Sequence, residues 1–300
     1  MLDVCACVFC VSETIKEFFS SAAAWRFREL VWEEKRMNAS FERLKEDLLA
    51  LGVREGDMLI VHSSLKSMGA LEGGAMTVID ALRAVLGEAG TLMFPTLSYV
   101  TSRATSYFSN LETPSCVGAL TEVFRQMEGV RRTNHPTHSV AIIGRYRDAL
   151  CEGVEEDDTP LGAHSPFRRL ADYGGKILML GCPFARNTFM HGMEEIAGVP
   201  YVLGDYQEFT MVDEYGKSST RRIRNHNFHR AEGHLIQRYE RATDVLDQGD
   251  FALGTVHGAP SLLLNASALR ERAVAKMKED PFYFIDDPNG IYKKSESSEN

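Results

Sequence analysis

KILMLGCPFARNTFMHGMEEIAG, residues 176–198, changes rhythm in the middle. Its opening, KILMLG, is an apolar run of strand length, the pattern of a strand buried on both faces. A short loop follows, and FMHGMEEIA then has the spacing of a helix with Asn187 or Thr188 as its N-cap. His191 stands in the first turn of that helix, and Glu194 lies one turn further on along the same face. A buried strand feeding a helix is the repeating unit of α/β folds, and functional side chains in such folds gather where strands end. His191 is therefore read three ways: as a metal ligand, as a general base steered by a carboxylate, or as a polar residue on an ordinary helix.

The same alternation runs outward in both directions. Residues 58–62 (MLIVH) read as a strand, AMTVIDALRAVLG as a helix, GTLMFPT as a strand, VGALTEVFRQM as a helix, SVAIIG as a strand and SPFRRLADYG as a helix. Beyond His191, EFTMVDEYGKSSTRRIRNH reads as a hairpin turning at EYGK. A helix from about Ala231, a strand FALGTVHG and a final helix from Ser261 complete the series. The fold class expected is α/β, a mixed β-sheet flanked by helices in an α/β/α arrangement, in a single domain. Its boundaries are set at residues 37–292, because MNASFERLKEDLLALGV from Met37 has a good helix start and Gly52 as a stop. Residues 1–36, with Trp25 and Trp32 seven apart on one helix face, read as an N-terminal extension, and residues 293–300 as a disordered polar tail.

Composition narrows the functions. The chain has 300 residues, 44% hydrophobic and 25% charged, with a formal net charge of −9. That charge argues against a nucleic-acid binder, whose affinity comes chiefly from Lys and Arg. No apolar run approaches the length needed to cross a bilayer, and the start lacks the basic region of a secretory signal, so a cytoplasmic protein is expected. An acidic surface suits a cationic substrate or simply aids solubility. Of the six cysteines, Cys5, Cys7 and Cys10 form C-x-C-x-x-C with no second cluster to complete a metal site; Cys116, Cys151 and Cys182 read as reduced thiols.

Four strand ends carry polar groups: VHSSLKSMG (61–69), FPTLSY (94–99), TNHPTHSV (133–140) and GCPFARNTFMH (181–191). The first is a small-residue loop whose Ser63, Ser64, Lys66 and Ser67 could meet phosphates, with a helix N-terminus near Gly73 and Gly74 behind it. It is neither a P-loop nor a dinucleotide fingerprint. Pro136 keeps His135 and His138 off a common helix face. A zinc site built on them would need further ligands, which His62, His164 or His191 could supply, without any H-E-x-x-H or C-x-x-C spacing to demand it.

Taken in order, VHSSLKSMG, GGAMTVIDAL, GTLMFPTLS, TPSCVGALTEVFR, RRTNHPTHSVAIIG, TPLGAHSPFRRLADYGGKILMLG and NTFMHGMEE resemble the aminoglycoside 3-N-acetyltransferase family, from about Leu48 to Phe284. This family is distinct from the common GNAT acetyltransferases and has its own α/β/α fold. The resemblance implies acetyl-CoA as cosubstrate, no metal, and a small-molecule amine, such as an aminoglycoside, as acceptor; it leaves an oligomer open. It makes His191 the base and Glu194 the acid that orients it, and gives Thr188 a hydrogen bond to the thioester oxyanion. Coenzyme contacts pass to Ser63, Ser64, Leu65 and Lys66, with His135 and Ser139 nearby; His138 marks a subgroup. Two rival readings stay in view: a zinc-dependent hydrolase built on His62, His135, His138 and His191, and a CoA-binding sensor without turnover. Cys182 is a further candidate as an acyl-accepting nucleophile. The segment after GVP, with Arg221, Arg222 and Arg224, is more basic than a pocket for a polycation calls for.

Overall fold

The computed structural model describes residues 39–231 and 233–292; the cysteine triplet, Trp25, Trp32 and the expected extension and tail lie outside these residues. Helix α1 (Ala39–Leu51) leads to strand β1 (Met58–Ser63), α2 (Gly74–Leu86) and β2 (Thr91–Pro95). Then come α3 (Tyr99–Thr105), β3 (Tyr107–Ser109), α4 (Ala119–Arg125), β4 (Arg131–Arg132) and β5 (Val140–Gly144). Helices α5 (Arg147–Cys151) and α6 (Pro166–Arg169) precede β6 (Lys176–Leu180) and α7 (Phe189–Ala197). The hairpin β7 (Leu203–Val212) and β8 (Ser218–His226) is followed by β9 (Phe251–Val256), β10 (Ala259–Asn265) and α8 (Ala266–Glu279).

Seven strands form the main sheet in the order β9-β10-β6-β1-β2-β5-β4. The centre is parallel, β6 and β2 flanking β1, while β10 and β5 pair antiparallel to its two sides. Alternation along each central strand splits the core in two. Leu59, Val61, Leu92, Phe94, Leu178 and Leu180 meet α1, α2 and α4 on one face. Met58, Ile60, Met93, Ile177 and Met179 meet α7 and α8 on the other. Because both faces are covered, the strands read as continuous apolar runs, and the expected mixed α/β/α sheet is the one found. A second sheet, β3-β7-β8, closes over its own small core of Phe108, Phe209, Met211 and Ile223.

This topology decides where chemistry can sit. The carboxyl ends of β6, β1 and β2 point the same way. Antiparallel β5 starts at that same end, Val140 opposite Pro95, which brings the Thr137–His138 turn beside them.

Two expected helices are corrected. No helix starts near Ala231: residues 229–237 make two-residue bridges, Gly233 has φ 145°, and the chain then turns through a 3-10 helix, Tyr239–Asp244. A backbone with that φ is open to glycine and strained for other residues, so the helical spacing there is overridden. The final helix starts at Ala266, not Ser261. Residues 259–265 are β10, with Leu262, Leu263 and Leu264 buried, and Asn265 caps α8 by accepting from the Ala268 N–H at 3.0 Å. The SPFRRLADYG helix is confined to Pro166–Arg169. Since Leu264 is 1% exposed beside β6, Leu264→Ala is expected to lower unfolding free energy by about 3 kcal/mol in urea titration; a loss below about 1 kcal/mol would show that β10 is not core.

Candidate active site

The strand ends enclose a cleft of about 770 Å³. His62 and Ser63 at the end of β1 and Ser64 just after it line it, with Pro95 at the end of β2 and Leu97 beyond, Thr137 and His138 before β5, and Cys182 and Pro183 after β6. Asn187, Thr188 and His191 line it at the start of α7, and Asn225, His226 and Phe228 at the end of β8. The helix cap is Asn187, whose Oδ1 accepts from the Phe189 N–H at 3.2 Å; Thr188 makes no side-chain cap. The Thr188 hydroxyl is thereby spared for the cleft.

Glu194 is fully buried, and its carboxylate is held by three side chains. Its Oε2 lies 3.0 Å from His191 Nδ1 and accepts from the Tyr239 hydroxyl at 2.8 Å; its Oε1 accepts from the Tyr201 hydroxyl at 3.0 Å. The Tyr239 oxygen is also 2.8 Å from His191 Nδ1. With both tyrosine protons committed to the carboxylate, the consistent assignment puts a proton on Nδ1, shared between Glu194 and the Tyr239 oxygen. His191 Nε2 has no hydrogen-bond partner among the described residues. Burial raises Tyr201 and Tyr239 above the ordinary tyrosine range, with Glu194 adding to the effect, so both remain donors.

The adjacent Glu195 faces a different partner set: the Thr159 hydroxyl at 2.6 Å, the Leu161 N–H at 2.9 Å and His226 Nε2 at 2.9 Å. Burial pushes Glu195 up, and burial, with His191 adding to the effect, pushes His226 well down. The His226 ring packs 4.6 Å from His191, tilted, and 4.8 Å from His138, edge-on, so that the three imidazoles form one wall.

The predicted coenzyme residues divide. Ser63 and Ser64 line the cleft; Leu65 and Lys66 sit in a 3-10 turn, Leu65–Met68, and do not. His135 and Ser139 lie behind the wall. His135 Nδ1 accepts from the His138 N–H at 2.9 Å and the Thr137 N–H at 3.2 Å, so Nε2 carries the proton and donates to the Thr159 carbonyl at 3.1 Å. Ser139 donates to the Thr96 carbonyl at 2.7 Å and accepts from buried Arg132 at 2.9 Å. With both His135 nitrogens used, the zinc set loses a member, and no group of three or more His, Cys, Asp or Glu among the described residues is placed to hold a metal ion. Cys182 lines the cleft, yet burial pushes its thiol up to about 12. Tyr201, Tyr239, Glu195 and His226 complete the site and were absent from the sequence-based set.

Burial holds both His62 and His135 at about 3, with His191 and Arg221 respectively adding to the shift. Below pH 6.5 the unfolded chain takes up protons at these two residues that the folded chain refuses. Stability is therefore expected to fall as pH drops from 6.5 toward 3, each site contributing a slope of up to about 1.4 kcal/mol per pH unit. Urea midpoints between pH 7 and 4.5, with histidine NMR, check this; titration of either ring near pH 6.5 in the folded protein would refute it.

The family of the chain is shown by comparison with known proteins. Residues 60–278 match the model of the family described as aminoglycoside 3-N-acetyltransferase. Aminoglycoside N(3)-acetyltransferase VII of Streptomyces paromomycinus is 33% identical over 268 residues, covering 79% of this chain and 91% of that one. Aminoglycoside N(3)-acetyltransferase III of Serratia marcescens is 34% identical over 182 residues, 54% of this chain and 66% of that one. The solved structure of AAC-IIIb as a binary complex with CoASH superposes with a TM-score of 0.68 at 25% identity, covering 80% of this chain and 97% of the other. The chain belongs to the aminoglycoside 3-N-acetyltransferase family of CoA-dependent acyltransferases.

Proposed function

We propose that the protein moves the acetyl group of acetyl-CoA to the amine of an aminoglycoside or a related amino compound, with His191 as the base. The observation that carries this is the His191–Glu194–Tyr239 cluster in the cleft wall. An ammonium group has no lone pair to attack a thioester. Nε2 of His191 takes its proton, and Glu194, bound to Nδ1, holds the ring in the tautomer that leaves Nε2 free and steadies the imidazolium that forms. The amine nitrogen then bonds to the carbonyl carbon, and the Thr188 hydroxyl at the start of α7 donates to the oxygen as it gains charge. The carbon–sulfur bond breaks and coenzyme A leaves as the thiolate, which takes the second proton of the attacking nitrogen; the first, held by His191, is released to solvent, so that ammonium and acetyl-CoA give the amide, the free thiol and one proton.

Ser63 and Ser64 hold the coenzyme at the end of β1, with Leu65, Lys66, His135 and Ser139 acting by shaping that loop and the neighbouring wall. Transfer is direct: a Cys182 thiol held near 12 is protonated at neutral pH and a poor acyl acceptor. We assign the protein to the cytoplasm, in keeping with the free thiols Cys116, Cys151 and Cys182; no helix among the described residues is long and apolar enough to cross a membrane.

Thiol release from acetyl-CoA, measured with kanamycin, gentamicin, neomycin and simpler amino sugars, tests the reading. His191→Ala is expected to lower kcat about a thousandfold while CoA affinity stays within about twofold. Near-normal turnover in that variant, or CoA binding without thiol release on any amine, would refute it. Cys182→Ser is expected to keep activity within about threefold; an acetylated Cys182 trapped in the wild type would refute direct transfer.

A further inference from the structure

Turning an ammonium group into an amide removes two protons from one nitrogen, and His191 receives only the first. Glu194 and Glu195 are consecutive on α7, so their side chains leave the helix about 100° apart, and each meets a different imidazole. Glu194 Oε2 lies 3.0 Å from His191 Nδ1, and Glu195 Oε1 lies 2.9 Å from His226 Nε2. Among the described residues, no other histidine lining the cleft has a carboxylate on either nitrogen.

The second pair is held as closely as the first. Glu195 accepts from the Thr159 hydroxyl at 2.6 Å and the Leu161 N–H at 2.9 Å, and its side chain is 4% exposed. With those two donors keeping the carboxylate ionised, Oε1 also receives the Nε2 proton of His226, and Nδ1 is left bare. Nδ1 has no hydrogen-bond partner among the described residues, and the ring lines the cleft. Its centroid is 4.6 Å from that of His191, so an amine held at His191 lies beside it. His138 has the Thr137 hydroxyl 2.9 Å from its Nδ1 and no acid behind it. Burial works against an imidazolium at His226, with His191, His135 and Arg103 adding to the effect, while it raises Glu195; an added proton is therefore drawn to the carboxylate side of the pair.

We propose that the His226–Glu195 pair carries the second proton from the attacking nitrogen to the departing sulfur. This rests on the acetyl-transfer reading and gives its proton balance a route. As the carbon–nitrogen bond forms, the N–H bond breaks, His226 Nδ1 gains the proton and the Nε2 proton shifts to Glu195. When the carbon–sulfur bond breaks, Nδ1 gives its proton to the thiolate and Glu195 returns the other to Nε2. Both residues end as they began, and the first proton still leaves from His191.

Single-turnover thiol release from acetyl-CoA with kanamycin and with glucosamine tests this, in mixtures of light and heavy water. His226→Gln keeps an amide donor for Glu195 but ferries no proton, and is expected to slow transfer about a hundredfold with CoA affinity within about twofold. Added imidazole is expected to restore His226→Ala at least about tenfold. The wild-type rate is expected to fall along a curve as the deuterium fraction rises, the mark of two protons in flight, and along a straight line in His226→Gln. Nitrogen-15 NMR is expected to find resting His226 protonated on Nε2. Transfer within about threefold of wild type in His226→Gln, no imidazole rescue, a straight line in the wild type, or a resting proton on Nδ1 overturns the proposal. Where the wild type releases thiol, each of those results removes the relay and leaves acetyl transfer standing. Absence of release by the wild type with any amine removes both.

Discussion

The carboxylate of Glu194 has to be satisfied entirely by protein. A charge taken out of water costs several kcal/mol unless its partners replace the hydration it loses, and here the replacement is one imidazole and two phenols. Each donor comes from a different stretch of chain: His191 from the helix that holds Glu194, Tyr201 from the segment after it, Tyr239 from the 3-10 helix 45 residues on. Satisfying one carboxylate therefore fixes the end of α7 against two irregular segments. The catalytic reading and the local fold depend on the same three hydrogen bonds.

The sheet supplies the rest. Parallel β6, β1 and β2 deliver three carboxyl ends to one place, and the reversal of β5 brings the Thr137–His138 turn to the same edge. Residues 182, 63, 97 and 138, far apart in the chain, thus share one cleft. Behind it, His135 and Arg132 act as braces. Arg132 donates to the Thr96, Asn110 and Thr113 carbonyls and to Ser139, which ties the β5 entry to the loops after β2 and β3. The strand-exit polar residues are of two kinds, those facing the cavity and those holding the residues that do.

Local pattern made most of the scaffold legible. Each central strand is buried on both sides, so its apolar run needed no context, and α2 has the spacing to match. Where the sequence misled, a tertiary constraint prevailed. The spacing after Ala231 is helical, yet Gly233 adopts a φ only glycine takes easily; Ser261 to Leu264 looks like a helix start and is a strand because β6 offers it an edge. The site was half legible. His191 and Glu194 share a helix face, so spacing paired them. Tyr201, Tyr239 and His226 lie on a loop, a 3-10 helix and a strand end with no periodicity to pair them, and only folding puts them beside the base. Ser139 and His135 stood out as polar residues at a strand entry, though their side chains turn inward.

A general base at His191 requires that Nδ1, not Nε2, carry the proton of the neutral ring. Nitrogen-15 NMR of the histidine side chains, with Glu194→Gln to assign the signal and test the link, measures it directly. The expected result is a proton on Nδ1 and a bare Nε2, with that preference lost or weakened in the variant. A neutral ring protonated on Nε2, or a tautomer indifferent to Glu194, would contradict it.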